Sequence, residues 1–579
     1  PGYIPIGTDE HKFMGTFYGN GHVISNVSIS QSGTSGVGIF GVTGNTARIL
    51  DLGVENATVS GKDYTGVIVG NSAGTITNCY VKGNVNVNGN SYVGAITGQA
   101  TNTIASSYTS GNININGSGY VGGLAGYINN TVRNSFVQDV NVTSSSGKAG
   151  GFTGVFGSAA SYDKISIKGT INVSGSNCIG GYVGASDISL SNLNANVTGT
   201  VKATSGYAGG IAGSITSSRT ISNCNATMSI TGSGGNYVGG IVGYANSATI
   251  SQSSYNGTIT ATDTGNVGGI AGVAGTISQS SYNGTITATG TNSVGGIAGA
   301  SASVITNCTA SGMINASGNC SSIGGIIGFM SNNGKVTNCN SNMNINNSGT
   351  GNSIGGLIGQ LYSSSIVVSK SYSTGNITAA NSSYVGGLIG DIRTNGHITI
   401  NSCYTTGNVT GSSNVGGFAG RIYADSNNGD SYYQVYIETS FASGNVTGSN
   451  STYTGGFVGY AHEVSSSDSY PMDGDIYIYT CYASGTVSSG KGFFGDSNAA
   501  SMSGCVYNNA NTASQSSVTG LSLTQMQDQA TMTGKGFTTD KGWKYESGKT
   551  PQLIITSTGK TSSTTDQSYS YYTVERPVN

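Results

Sequence analysis

A six-residue block recurs along almost the whole chain: a β-branched residue, two small residues, two apolar residues and a glycine. This recurrence limits the possible folds more than any other feature. Examples are Val121-Gly-Gly-Leu-Ala-Gly126, Val238-Gly-Gly-Ile-Val-Gly243, Ile323-Gly-Gly-Ile-Ile-Gly328 and Val385-Gly-Gly-Leu-Ile-Gly390. Its closing glycine stands at 41, 70, 98, 126, 154, 184, 213, 243, 272, 299, 328, 359, 390, 420, 459 and 495, which makes sixteen copies. Most intervals are 27 to 31 residues, and the last two stretch to 39 and 36. The segment Thr249 to Thr262 returns at Thr276 to Thr289, the mark of recent tandem duplication. A unit this short cannot enclose a core of its own, but it can share one with its neighbours.

Two further segments follow the glycine in each unit. One is a short run such as Thr75-Ile-Thr-Asn-Cys-Tyr80. The other alternates polar and apolar residues, as in Asn84-Val-Asn-Val-Asn88 and Asn112-Ile-Asn-Ile-Asn116. Period two means strand, with Val and Ile inward and Asn and Thr outward. Three short strands per unit, separated by Gly and Asn-Gly turns, predict an all-β fold. It is a parallel β-solenoid (β-helix) of about sixteen coils, one roughly 29-residue repeat per coil. At roughly 4.8 Å per turn such a rod is on the order of 75 to 80 Å long. Glycine pairs suit its corners, through positive φ or close backbone approach. A helical reading fails, because each glycine costs a helix about 1 kcal/mol relative to alanine.

Composition agrees with a folded array. Glycine supplies 96 of 579 residues, proline 5, and charged residues only 8%, while 36% are hydrophobic. A disordered chain would carry less hydrophobicity with more charge. A net charge of −2 and the lack of any Lys/Arg cluster argue against nucleic acid as a partner. No apolar run of membrane-spanning length occurs. Pro1 opens inside a patterned segment, so any leader or anchor is expected outside these residues.

The block resembles the GLUG motif, named for glycine, leucine, an apolar residue and glycine. That motif occurs in bacterial and some archaeal surface proteins, including adhesins and the non-catalytic repeats of bacterial IgA-cleaving metallopeptidases. The resemblance covers residues 1–510. Pro5-Ile-Gly7 and Phe13 to Asn26 are similar to the family's usual first coil (1–41), and Trp543 to Leu553 to its closing element, here within 511–555. It implies display on a surface stalk or adhesin, and no reaction.

Candidate chemistry is sparse, and no catalytic, cofactor or metal site is expected. Cys79, Cys224, Cys308, Cys339, Cys403 and Cys481 share one repeat position with Ser107, Ser254, Ser281 and Ser371, which points to a small inward-facing position. Cys308 and Cys339 lie on consecutive turns, where a bridge is geometrically conceivable. Cys178, Cys320 and Cys505 are placed off that ladder. His462-Glu463 lacks the second histidine of a zinc-peptidase helix. The long repeats at 421–495 hold the unusual residues. Their insertions carry Tyr423, Tyr432, Tyr433, Tyr436, Tyr470, Tyr477 and Tyr479 with Asp425, Asp430, Glu438, Glu463, Asp468, Asp473 and Asp475. These loops should lie side by side, as a decorative hairpin, a tyrosine-rich contact surface for glycan or protein, or a calcium or carboxylate site. Sequons stand at Asn26, Asn56, Asn141, Asn172, Asn196, Asn256, Asn283, Asn307, Asn376, Asn408 and Asn445, among others. The tail, 556–579, begins as Ser/Thr-rich linker. It ends in a strand-like segment with Tyr569, Tyr571, Tyr572, Val574 and Val578, which either connects to a further domain or adds to a neighbouring subunit's edge.

Three functions are compatible with these features. The first is a non-enzymatic extracellular stalk or adhesin with a surface glycan or protein as partner. The second is a filament or surface-layer subunit that self-associates through solenoid ends and tail. The third is a polysaccharide-active β-helix enzyme, supported by architecture alone.

Overall fold

The computed structural model describes residues 3–555, apart from 236, 332, 425–432, 464–474, 498–499, 511–514 and 516–517. One turn serves for all. Tyr92–Gly94 leads into the block strand Thr97–Ala100; Ile104–Ala105 forms a second wall and Tyr108–Gly117 a long third one, after which Tyr120–Gly122 begins the next turn. Each segment pairs in parallel with its counterpart one repeat later: Thr97 with Ala125, Ile104 with Val132, Tyr108 with Phe136, Val121 with Ala149. The chain is a parallel β-solenoid.

Val93, Ile96, Ile104, Ile113 and Ile115 fill the interior of this turn and are fully buried, and the same positions repeat throughout the core. Burying one such side chain contributes about 1.5 to 3 kcal/mol, which a unit realises only when a neighbour covers it. The outward asparagines pair along the rod. Asn114 donates through Nδ2 to Asn86 (3.2 Å), Asn141 to Asn114 (2.9 Å) and Asn172 to Asn141 (2.9 Å).

The glycine block works by close approach. None of Gly122, Gly123 and Gly126 has positive φ, but a Cβ on Gly122 or Gly123 would overlap a backbone carbonyl of its own or the next turn. Left-handed backbone falls instead on polar residues at the corner before the Cys/Ser position, including Asn78 (φ 53°), Asn134 (φ 50°), Asn223 (φ 52°) and Gln279 (φ 49°). Asparagine tolerates that region better than other non-glycine residues.

All sixteen block strands, from Phe40–Thr43 to Phe494–Ser497, join one parallel ladder. The expected sixteen coils become about fourteen complete turns. At the ends the short strand before the block is reduced to isolated bridges: Val37 with Thr65, Thr65 with Val93, and Gly455 with Lys491. The second wall is also interrupted once, after Ser161–Asp163, where Tyr162 donates its hydroxyl to Ser191 O (3.1 Å).

Beyond the last full turn, Val506–Asn508 pairs with Thr519–Leu521. Two short helices follow, Leu523–Gln527 and Gln529–Gly534, and then the antiparallel pair Trp543–Lys544 with Gln552–Leu553. Met526, Met532, Phe537 and Trp543 pack with Phe441 and Tyr482 in a separate apolar cluster. Trp543 lies 5.7 Å from Tyr482, the last ring of a stack running Tyr372, Tyr404, Phe441, Tyr482 at 4.7, 4.9 and 4.8 Å. Gln515 closes the last block strand as a strand would, accepting from Phe493 N and Phe494 N and donating to Phe494 O. Among the described residues, no helix is long and apolar enough to cross a membrane.

Candidate contact surface

In the two long repeats, Ala419–Ala424 and Val458–Glu463 carry the block, and Gln434–Ala442 and Asp475–Ala483 form the second wall. The two second-wall strands pair along their whole length, with Gln434 opposite Asp475, Tyr436 opposite Tyr477 and Glu438 opposite Tyr479. Period two turns these residues outward and leaves Val435, Ile437, Ile476 and Ile478 fully buried.

Tyr436 and Tyr477 stack at 4.7 Å with 12° between their planes, and Tyr479 lies 6.1 Å from Tyr477. The Tyr477 hydroxyl donates to Asp475 (2.7 Å), and that of Tyr436 to Gln434 (3.2 Å). Burial raises the Tyr477 pKa, and the Asp475 carboxylate raises it further. Tyr436 and Tyr479 shift upward for the same leading reason, with neighbouring negative charge adding. All three hydroxyls therefore stay protonated donors.

This arrangement differs from a sheet of outward ring faces. Stacking between turns spends one face of each ring on its neighbour, so the wall presents ring edges and hydroxyls. The outer faces of the pair look along the rod, over Thr399 on one side and Ser501 on the other. Both flanking residues are small, so a planar group could lie against either ring at the level of the next turn.

The block wall of the same turns holds a second group. Register aligns Gln360, Asp391, Arg421, Tyr460 and Asp496 in one column, and Tyr362, Arg393, Tyr423 and His462 in the next. The Asp391 side chain is fully buried. It accepts two bonds from Arg421 (both 2.8 Å), one from Arg393 Nε (2.9 Å) and one from Gln360 Nε2 (3.1 Å). The Arg421 guanidinium lies 3.8 Å over the Tyr384 ring and 5.7 Å from that of Tyr423. Burial works against its charge, but Asp391 outweighs it and raises the Arg421 pKa. Tyr423 stacks on His462 (5.3 Å), whose Nδ1 is 3.0 Å from the Tyr460 hydroxyl.

The structure thus brings Tyr436, Asp475, Tyr477 and Tyr479 together and places Tyr423 on the block wall. Tyr433 is only 7% exposed, which makes it a packing residue. Glu463 ties the walls by accepting from Ile476 N (2.8 Å). Tyr432, Tyr470 and Asp473, with Asp425, Asp430 and Asp468, lie outside the described residues, as do Tyr569, Tyr571, Tyr572, Val574 and Val578. Asp391, Arg393, Gln360, Tyr384 and Tyr460 were not singled out from sequence. Their one signal is the position just after the closing glycine, which carries a charge on two consecutive turns, at Asp391 and Arg421.

All nine cysteines are buried and free, Cys308 and Cys339 included. In the shared column the thiol donates to the carbonyl two residues back, as Cys79 does to Thr77 (3.3 Å), and serine does the same, as Ser107 to Ala105 (2.9 Å). Cys505 corrects its expected placement. Tyr482 pairs with Val506, so Cys505 stands opposite Cys481, within the column. Burial pushes the pKa of Cys79 and Cys505 up to about 11 and that of Cys403 to about 12, which makes these thiols poor nucleophiles. Among the described residues, no three His, Cys, Asp or Glu side chains converge as metal ligands would.

No family model matches the chain. It is 45% identical over 87 residues to "Halomucin" of Haloquadratum walsbyi, which covers 15% of this chain and 1% of that protein. It is 33% identical over 85 residues to a "Putative Gly-rich membrane protein" of Evansella cellulosilytica, 14% of this chain and 10% of that one. The chain therefore spans a small fraction of either relative. No solved structure matches. These partial similarities fit a surface repeat protein.

Proposed function

We propose that the chain is a non-enzymatic, rod-like stalk or adhesin segment of an extracellular surface protein. The observation that carries this reading is the parallel ladder of turns, whose third wall carries outward asparagines bonded to their own counterparts on the next turn. Such a wall sets distance without offering chemistry, and its length grows with repeat number. The GLUG-motif resemblance supports the same reading, as does the short similarity to halomucin and to a glycine-rich membrane protein. Contact with a surface glycan or protein belongs to the Tyr436–Tyr477 wall, where hydroxyl donors and open ring faces meet. The test is binding to a glycan array and to host cells. Binding abolished by Tyr436→Ala with Tyr477→Ala supports an adhesin, whereas unchanged binding assigns the contact elsewhere.

A second reading is a filament subunit that self-associates, since stacking of equivalent turns can continue from one copy to the next. Electron micrographs decide it: rods of one length support the stalk, and rods of indefinite length the filament.

A further inference from the structure

Sequons are scattered over the whole chain, and two groups of them differ in their structural setting. Asn141 and Asn172 lie inside strands, Phe136–Ser144 and Ser166–Gly175. There the Nδ2 of each donates to the asparagine one turn earlier, at 2.9 Å in both cases. Even the Thr143 and Ser174 hydroxyls of their sequons bond to each other, at 3.2 Å.

Asn376, Asn408 and Asn445 are different. Each stands at a corner, between a glycine (Gly375, Gly407, Gly444) and the first residue of a strand, with its side chain exposed. The three fall in register on consecutive turns, because Ile377 pairs with Val409 and Val409 with Val446. Their Oδ1 atoms are held. Asn376 accepts from Asn408 N (2.9 Å), Asn408 from Asn445 N (2.9 Å), and Asn445 from Thr486 N (3.0 Å). Nδ2 of each is left out of these bonds, on the solvent side. Two residues on, Thr378, Thr410 and Thr447 align in a parallel column on the same face, as period two requires.

We infer that Asn376, Asn408 and Asn445 are attachment sites for N-linked oligosaccharide. The inference rests on the reading of the chain as an extracellular surface protein. In the transfer, Nδ2 bonds to the anomeric carbon of a lipid-phosphate-activated oligosaccharide, and the carbon–oxygen bond to the phosphate breaks. The lipid phosphate leaves with the electron pair, and one amide proton passes to a base of the transferase. The fixed Oδ1 then keeps the attached sugar pointing away from the wall. A sequon needs an exposed Asn in a surface segment, and this column supplies three such sites in a row.

The test is glycopeptide mass spectrometry on the protein isolated from its own host. The expected result is sugar on the peptides holding Asn376, Asn408 and Asn445, and none on those holding Asn141 and Asn172. The triple variant N376Q, N408Q, N445Q should lose the sugar mass increment carried by these three peptides while keeping its circular dichroism spectrum. Protein recovered from the cell exterior without sugar at this column overturns the inference and leaves the surface reading intact. Equal modification of Asn141 and Asn172 also overturns it. Protein found only inside the cell defeats the surface reading itself, and the inference with it.

Discussion

The regular turns between residues 65 and 415 and the long turns after them use the same ladder with different proportions of neutral, aromatic and charged residues on their walls. In the regular turns the asparagines of the third wall bond to their counterparts, beside ring stacks such as Tyr80 on Tyr108 and Tyr372 on Tyr404. In the long turns the counterparts are rings and charges: Tyr436 on Tyr477, Tyr423 on His462, and Arg421 on Asp391 of the last regular turns. Parallel, in-register stacking brings like residues together, so whatever the sequence places at one position becomes a row. A neutral row makes a wall, and an aromatic or charged row concentrates that chemistry along one line of the rod.

The backbone contacts common to both regions should be the costliest to break. A Cβ on Gly324 would overlap the carbonyl of Ile327, so Gly324→Val should destabilise by on the order of 5 kcal/mol and abolish cooperative melting. Gly33→Ala, with nothing within 4 Å, should stay within about 0.5 kcal/mol; a similar melt for the two variants would refute the close-approach account. Alkaline stability tests whether the regions unfold together. The Cys403 thiol has its pKa raised from 9.0 to about 12, and Cys224 from 9.0 to about 11, so folding holds the neutral form. The unfolded chain releases these protons first. Stability should be complete below pH 9.0 and fall between there and about pH 12. Because burial also raises Cys481 and Cys505 in the later turns, circular dichroism should show one transition; two would mean that the regions unfold separately.

Effects confined to the long turns come next. Trp543→Ala removes the lid on the Tyr482 stack and should cost about 3 to 5 kcal/mol. Hydrogen exchange should quicken in the turns nearest Tyr482 and hardly change near Ile113. Arg421→Ala leaves the Asp391 carboxylate buried with Arg393 and Gln360 as partners, at a cost of about 3 kcal/mol in chemical denaturation. Replacing both Asp391 and Arg421 by leucine should recover most of that loss, since a buried pair adds little over apolar packing. A double variant as unstable as Arg421→Ala would show that Arg393 depends on Asp391 for its place.

The wall strands were legible because period two and sixteen glycine blocks are local signals. The Cys/Ser position was legible from interchange, except at Cys505, where irregular spacing hid the register that sets it opposite Cys481, and at Ser254 and Ser281, where the preceding Ser253 and Ser280 hold the column instead. The Asp391 cluster was not legible. Gln360, Asp391 and Arg421 are about one repeat apart, and only exact stacking makes them neighbours. Ring orientation was also hidden: composition shows that Tyr436 and Tyr477 exist, while the parallel register decides that they face each other.

The smallest predicted effects compare the two kinds of row directly. Tyr477→Ala removes one stacked ring and a hydroxyl bond to Asp475, and should cost about 1 kcal/mol. Asn114→Ala removes exposed bonds to Asn86 and Asn141, where water replaces what is lost, and should cost about 0.5 kcal/mol or less. Both are read from urea midpoints at constant slope. If Asn114→Ala proves the costlier, the polar rows are structural elements in their own right. The neutral wall would then be selected for rigidity, and the aromatic row, being cheaper to change, would be the one free to be shaped by a partner.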